Sequence, residues 1–198
     1  MGELYKLLRA LDKNTVRAFR AHAMVRSRME RQQELGGALN GNDIVQVEDF
    51  LNEAVKSDWV LALSRIWFDD RDDSIPKLLK SDEWADAVKS HSAREQLISS
   101  QDRIHQWTND QGKRLELLKF ARVEGLAHEI EKSEKRTNTG REDNATLGLL
   151  AELTNETSEI VYSIYGILFP LSVDVGDVER KFSRAADRFY DHLCNFKP

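Results

Sequence analysis

The most regular feature of the chain is a helical repeat of apolar positions in its N-terminal part. Positions spaced three and four residues apart form one seam: Leu8, Leu11, Thr15, Ala18, His22, Val25 and Met29. This spacing places side chains on one face of a helix and is typical of a heptad seam. It predicts a long helix over 4–33, ended by the glycines of "LGGALNGND" (35–43). We interpret His22 as a packed core histidine.

The same periodicity predicts further helices along the rest of the chain. They cover about 44–64, 75–88, 92–107, 113–132, 146–169 and 177–194. Asp43 and Ser92 are the expected N-caps of the first and third of these. The expected inward residues are Val47, Phe50, Leu51, Ala54, Trp59, Val60, Leu63, Leu78, Leu79, Trp84, Ala87, Leu97, Ile98, Ile104, Trp107, Val178, Phe182, Ala185, Phe189 and Leu193.

No stretch shows the alternation of a strand, and the pattern therefore predicts an all-α fold. Helix 146–169 is the most apolar and is expected to lie at the centre of a helical bundle. We treat residues 1–198 as one domain with a long N-terminal helix.

Four aspartates cluster in "FDDRDDSIP" (68–76), a composition that could serve two purposes. Hard cations bind oxygen clusters, but Asp and Ser also cap helices, and Pro76 suits a first turn. We favour the capping interpretation, and we expect neither a metal nor another cofactor.

Composition narrows the class of protein. The single cysteine, Cys194, excludes an internal disulfide framework, and 40% hydrophobic with 32% charged residues indicates a globular chain. The N-terminus lacks the apolar region of a signal peptide, and the longest apolar run (160–170) is too short to span a bilayer. The expectation is a soluble, cytoplasmic protein with no membrane contact.

Charge is distributed unevenly along the chain. The net charge is −5, which argues against general nucleic-acid binding, yet residues 5–31 are strongly basic. Arg9, Lys13, Arg17 and Arg20 are therefore candidate RNA-binding residues on the first helix. The alternative is that they form an ordinary solvated helix surface.

The stretch "KFARVEGLAHEIEK" (119–132) carries the candidate chemistry. Arg122 precedes His128 by six residues, which on a helix separates them by about 120° in azimuth and about 9 Å along the axis. Arginine can fork onto a phosphate, and histidine can move a proton near neutral pH. A symmetric dimer would bring two histidines together, one as base and one as acid. Gly125 between them suits the close approach of another helix.

"LLKFARVEGLAH" (117–128) resembles the signature of the HEPN superfamily, in which an arginine and a following histidine mark a ribonuclease site. The ending Arg122, Leu126, Ala127, His128 is similar to the abortive-infection (AbiU-like) branch, as is "LALSRIWFDDRDDSIPKLL" (61–79). The resemblance implies an all-α bundle, a homodimer with facing motif helices, and metal-independent RNA cleavage that leaves a cyclic phosphate. Arg122 would hold the phosphate and His128 would act as the acid or base.

The resemblance also implies a role in bacterial phage defence or in a toxin–antitoxin pair, with an antitoxin or other protein as candidate partner. The chain departs from the pattern at Val123, where many active members carry Asn, Asp or His after the arginine. This departure favours the alternative of a non-catalytic helical module that binds a partner protein or a nucleotide.

Overall fold

The structure is a computed structural model that describes residues 2–39, 44–68, 74–81, 88, 90–128, 147–169 and 175–195, with side chains omitted at 3, 38, 39, 44, 123–128 and 175. Its described part contains helices and connecting turns but no strand, which confirms the all-α prediction. The helices are α1 (Glu3–Glu30), α2 (Gln32–Leu39), α3 (Ile44–Phe68), α4 (Ile75–Leu79), α5 (His91–Asp110), α6 (Gly112–His128), α7 (Leu147–Leu168) and α8 (Val175–Cys194).

Helix α1 is the axis of the bundle, because α3, α7 and α8 all pack along it. The apolar seam predicted for this helix is buried inside the chain over most of its length, at Leu8, Leu11, Thr15, Ala18 and Val25. Contacts between side chains fix the helix directions: α3 and α7 run antiparallel to α1, and α8 runs parallel to it. Since its own helices cover the seam, the seam gives no argument for a coiled-coil dimer.

The predicted central helix α7 is joined to α3 by two buried indole hydrogen bonds. Trp59 Nε1 donates to Thr154 Oγ1 at 2.8 Å, and Trp67 Nε1 donates to Thr157 Oγ1 at 3.0 Å. The Trp67 ring also stacks on Trp107 of α5, with centroids 4.4 Å apart. A buried indole N–H without an acceptor would be costly, so these bonds fix how α3 lies on α7.

His22 is a packed histidine, as the sequence indicated. Its ring stacks on Trp59 at a centroid distance of 5.1 Å and an interplanar angle of 17°. Burial lowers the pKa of His22, and the nearby Arg26 guanidinium lowers it further, against the opposing effect of Glu179. The folded protein therefore favours the neutral imidazole.

The N-terminal half of α3 is the clearest error in the predicted core. Val47 and Phe50 were expected to point inward but are 57% and 72% exposed, and Leu51 and Ala54 are also exposed. The buried face carries Glu48 and Asn52 instead. These two polar residues share a helix face with Val55 and Trp59, the side turned towards the bundle.

Arg28 of α1 explains how a carboxylate is buried at this position. Its Nε lies 2.5 Å and its Nη2 2.9 Å from the two Glu48 carboxylate oxygens, a two-bond contact that compensates the burial of the charge. The register of α3 is therefore set partly by an ion pair, and in its N-terminal half Val47, Phe50 and Leu51 face outward.

The end of the first helix also differs from the prediction. α1 ends at Glu30, and Arg31 forms the break, whereas Gly36 and Gly37 lie inside α2. The Arg31 guanidinium holds two carboxylates of α8, Asp191 at 2.8 Å and Asp187 at 3.2 Å. The break between α1 and α2 therefore coincides with the ion pairs that join Arg31 to α8. Met29, the last seam residue, is 55% exposed.

Two other predicted boundaries need correction. α4 ends at Leu79, far short of Val88, although its start agrees: Ser74 Oγ accepts from the Lys77 N–H at 3.3 Å. α5 begins at His91 with Ser90 as its N-cap, so Ser92 lies inside the helix. The predicted roles of Asp43, of the aspartates at 69–73, and of Trp84 and Ala87 fall outside the described residues.

Three more predicted inward residues are exposed, two on α8 and one on α5. In α8 the buried residues are Ala186 and Tyr190, while Ala185 and Phe189 are exposed. Tyr190 packs against Leu35 of α2. The buried face of α8 is therefore displaced by one residue from the predicted face. Ile98 of α5 is likewise 43% exposed.

Replacing Thr154 by valine tests the α3–α7 connection. The substitution keeps the shape but removes the acceptor of the Trp59 indole, so we expect a loss of about 1–3 kcal/mol in the free energy of unfolding. Denaturant titration measures it. Ser163→Ala, at an exposed position of the same helix, should change stability by less than about 0.5 kcal/mol. Equal effects of the two substitutions would contradict a fixing role for the bond.

The packing of His22 predicts a pH dependence of stability. The unfolded chain binds a proton at His22 more readily than the folded chain does, so stability falls as the pH drops below the ordinary value of 6.5. We expect His22→Gln to lose less stability than wild type between about pH 7.5 and about pH 5.5. His192→Gln, at an exposed position of α8, should retain the wild-type dependence. Parallel curves for wild type and His22→Gln would show the interpretation to be wrong.

Candidate functional site

Helix α6 carries both predicted catalytic residues. It runs from Gly112 to His128 without interruption, so the six-residue step from Arg122 to His128 is helical throughout. His128 is the last residue of the helix, and its side chain lies outside the description. The structure therefore places both motif residues on one continuous helix and describes the side-chain surroundings of Arg122 only.

Arg122 lies where the buried stripe of α6 reaches the surface. Leu115 and Leu118 are buried seven and four residues before it, which places all three on the same face of the helix. α6 packs along α3. The Arg122 side chain is partly exposed, at the margin of the core rather than inside it or on the opposite face.

The two arginines of α6 differ in their partners. Arg114 is held by two carboxylates of α7, Glu152 at 2.7 Å and Glu156 at 3.0 Å, and by the Gln111 side-chain oxygen at 2.8 Å. Among the residues that the structure describes, Arg122 has no hydrogen-bond or ion-pair partner. Arg114 therefore docks α6 on α7, while Arg122 has donors available for another anion.

The four candidate RNA-binding residues of α1 fall into two pairs. Arg17 forms an ion pair with Asp58 of α3, and the Arg20 guanidinium lies over the Phe182 ring of α8, 4.9 Å from its centroid. Arg9 and Lys13 are exposed, and neither has a carboxylate partner within the described part of the chain. Of the four, Arg9 and Lys13 are thus the two without an ion-pair or aromatic partner among the described residues.

A group of aromatic rings beside Arg9 was missed by the sequence reasoning. Tyr5 of α1 meets Phe169, the residue after α7, with ring centroids 5.4 Å apart. Phe169 in turn lies 5.2 Å from Tyr165. The four-residue spacing of Tyr165 and Phe169 was visible in the sequence, but their contact with Tyr5 depends on the antiparallel packing of α1 and α7.

The structure offers no site for a metal ion among its described residues, where no three His, Cys, Asp or Glu side chains come together. Nor does any described helix combine the length and the apolar run that crossing a bilayer requires. Burial raises the pKa of the Cys194 thiol, which disfavours its nucleophilic form.

No protein-family model, curated protein or solved structure matches the chain. The likeness to the HEPN superfamily therefore depends on the residues from Leu117 to His128 and from Leu61 to Leu79.

Proposed function

We propose that the protein is a metal-independent endoribonuclease of the HEPN type, active as a homodimer in bacterial defence or in a toxin–antitoxin pair. The motif Arg122, Leu126, Ala127, His128 near the end of α6 is the basis of this proposal. Its catalytic residues are Arg122 and His128, and its substrate is RNA.

The observation that best supports the proposal is that the Arg122 guanidinium has no partner among the described residues. Arg114, two turns earlier on α6, is bound on several sides, whereas Arg122 is partly exposed and has no described partner. A phosphate of RNA offers the paired oxygens that a free guanidinium binds with two parallel hydrogen bonds.

The chemistry follows from these two groups. In one copy of the dimer, His128 removes the proton of a ribose 2′-hydroxyl, whose oxygen attacks the adjacent phosphorus. In the other copy, His128 protonates the departing 5′-oxygen, leaving a 2′,3′-cyclic phosphate and a 5′-hydroxyl. Arg122 neutralises the negative charge that builds up on the phosphorus oxygens.

Phe120 supports a second copy at this place. It lies two residues before Arg122 on α6, faces away from the buried stripe and is 44% exposed. An exposed aromatic ring on the motif helix is the kind of anchor that protein interfaces bury. Two copies of α6 that meet along this side would bring the two motif helices together.

Substitution of the two motif residues tests the enzyme. His128→Ala and Arg122→Ala should each reduce the cleavage rate of a structured RNA by at least about 100-fold, because proton transfer or charge stabilisation is lost. Cleavage is followed on gels in the presence of a chelator of divalent cations. Lys119→Ala removes an exposed charge from the same helix and should retain most of the activity.

Two results of this assay would contradict the ribonuclease proposal. One is equal cleavage by wild type and His128→Ala, and the other is no cleavage of any RNA by folded wild-type protein. Thermal unfolding monitored by circular dichroism shows whether each variant is folded. Activity that disappears on chelation would argue against the metal-independent mechanism.

The dimer can be tested separately by light scattering after size-exclusion chromatography. The measured mass should be twice the chain mass of 22.8 kDa. Phe120→Glu should shift the protein to the monomer mass, since it places a charge in the interface. Ile98→Glu, at a comparably exposed apolar residue of α5, should leave the dimer intact. A wild-type monomer at assay concentrations would contradict the paired site.

One observation favours the alternative of a non-catalytic module that binds a partner protein. Val47, Phe50 and Leu51 expose an apolar face on α3, and contiguous apolar surface of this kind marks protein contacts. Inactive wild-type protein whose motif variants still form dimers would favour this module.

A further inference from the structure

Three aromatic side chains meet at one end of the bundle without being fully covered. Tyr5, Tyr165 and Phe169 form a chain of ring contacts at 5.2 and 5.4 Å, and each retains part of its surface in water. Their neighbour Tyr162 is buried and does not share this exposure. The rings thus close the space between α1 and α7 while still offering parts of their faces and edges to a ligand.

Cations of α1 border these rings. Lys6, Arg9 and Lys13 are spaced three and four residues apart, so they lie along one edge of the helix over about 10 Å. All three are exposed, and none has a carboxylate partner among the described residues. Their positive charge is therefore available to an external anion.

Charged groups of α1 act on the hydroxyl of Tyr165 on α7. Burial raises the pKa of Tyr165, and the charge of Asp12 raises it further, while the positive charge of Arg9 lowers it. Arg9 therefore lies close enough to the Tyr165 hydroxyl to act on it.

Asp12, an acidic residue that the structure describes beside these rings, is partly buried. It accepts a hydrogen bond from the Tyr162 hydroxyl at 3.1 Å, and burial raises the pKa of its carboxyl group. The Asp12 carboxylate is thus engaged by Tyr162, while Lys6, Arg9 and Lys13 are exposed.

Gly166 leaves an opening on the same part of α7. A Cβ at this exposed position would meet no atom within 4 Å, so packing does not explain a glycine inside a helix. Glycine costs about 1 kcal/mol there relative to alanine. Its lack of a side chain allows a ligand to approach the backbone beside Tyr165 and Phe169.

We propose that the aromatic–basic edge, formed by Tyr5, Arg9, Lys13, Tyr165 and Phe169, binds a short single-stranded segment of nucleic acid. Unpaired bases stack on the aromatic rings, and the phosphates on either side lie against the cations of α1. Proteins that hold single strands use this combination of stacking surfaces and a charged track. A duplex does not fit, because its bases cover one another and leave no face for the rings.

The inference does not depend on the ribonuclease proposal, since Arg122 and His128 take no part in it. It uses two of the four candidate RNA-binding residues and leaves out the other two. Arg9 and Lys13 belong to the edge, whereas Arg17 and Arg20 are engaged by Asp58 and Phe182. Tyr5, Tyr165 and Phe169 supply the base contacts that the charges lack.

Fluorescence anisotropy with a labelled, mixed-sequence single-stranded RNA tests the proposal, and gels confirm that the probe stays intact. We expect Tyr5→Leu and Phe169→Leu, which keep apolar bulk but lose the aromatic face, to weaken binding by about 5- to 100-fold. Phe189→Leu replaces an exposed ring on α8 and should bind like wild type. Arg9→Gln should weaken binding and lower the salt dependence by about one phosphate contact.

The comparison of probes gives the remaining outcomes. The single-stranded RNA should bind at least about tenfold more tightly than the same sequence in a duplex. If single-stranded DNA binds as tightly as RNA, contacts to bases and phosphates are sufficient for binding. Weaker binding of DNA would indicate a further contact to the 2′-hydroxyl. Equal binding of duplex and single strand, or wild-type affinity in both leucine variants at unchanged stability, would overturn the proposal.

Discussion

The fold depends on the burial of one long apolar stripe on α1. Residues from Leu4 to Val25 present this stripe continuously, and α3, α7 and α8 together cover it. Burial of apolar surface is the main favourable term in folding, so the arrangement of the three covering helices follows from the need to enclose this rod. Their placement leaves one edge of α1 uncovered, and Lys6, Arg9 and Lys13 lie there. The same constraint thus creates the core and determines where positive charge can face a ligand.

Much of this architecture could be predicted from periodicity, and its errors have physical causes. The bounds of α7 and most of the α1 seam were predicted because their apolar residues repeat at helical spacing and are buried together. The face of α3 that carries Phe50 was predicted wrongly, because the pattern cannot show that Arg28 would bury Glu48 opposite it. The break at Arg31 was missed for a similar reason: carboxylates of α8, distant in sequence, define it.

The two candidate sites differ in how much of each could be predicted from the sequence. The spacing of Arg122 and His128 is local, so a motif can indicate it, and the structure adds that Arg122 has no described partner whereas Arg114 does. Whether two motifs meet remains a prediction, since it depends on a second chain. The aromatic–basic edge unites Tyr5 with Phe169 across almost the whole chain. Only tertiary packing creates such a surface, and no local pattern could have predicted it.

The pairing of α8 with α1 has a consequence for biosynthesis. Ser27 and Asp187, and likewise Arg31 and Asp191, bond across a sequence separation of 160 residues. Nascent α1 and the helices that follow it can assemble while translation continues, but one flank of α1 stays bare until α8 leaves the ribosome. Ser27, only 1% exposed in the folded chain, is covered when α8 docks. The newborn polypeptide therefore completes its cooperative core by closing a very long loop, a step during which chaperones can still engage it.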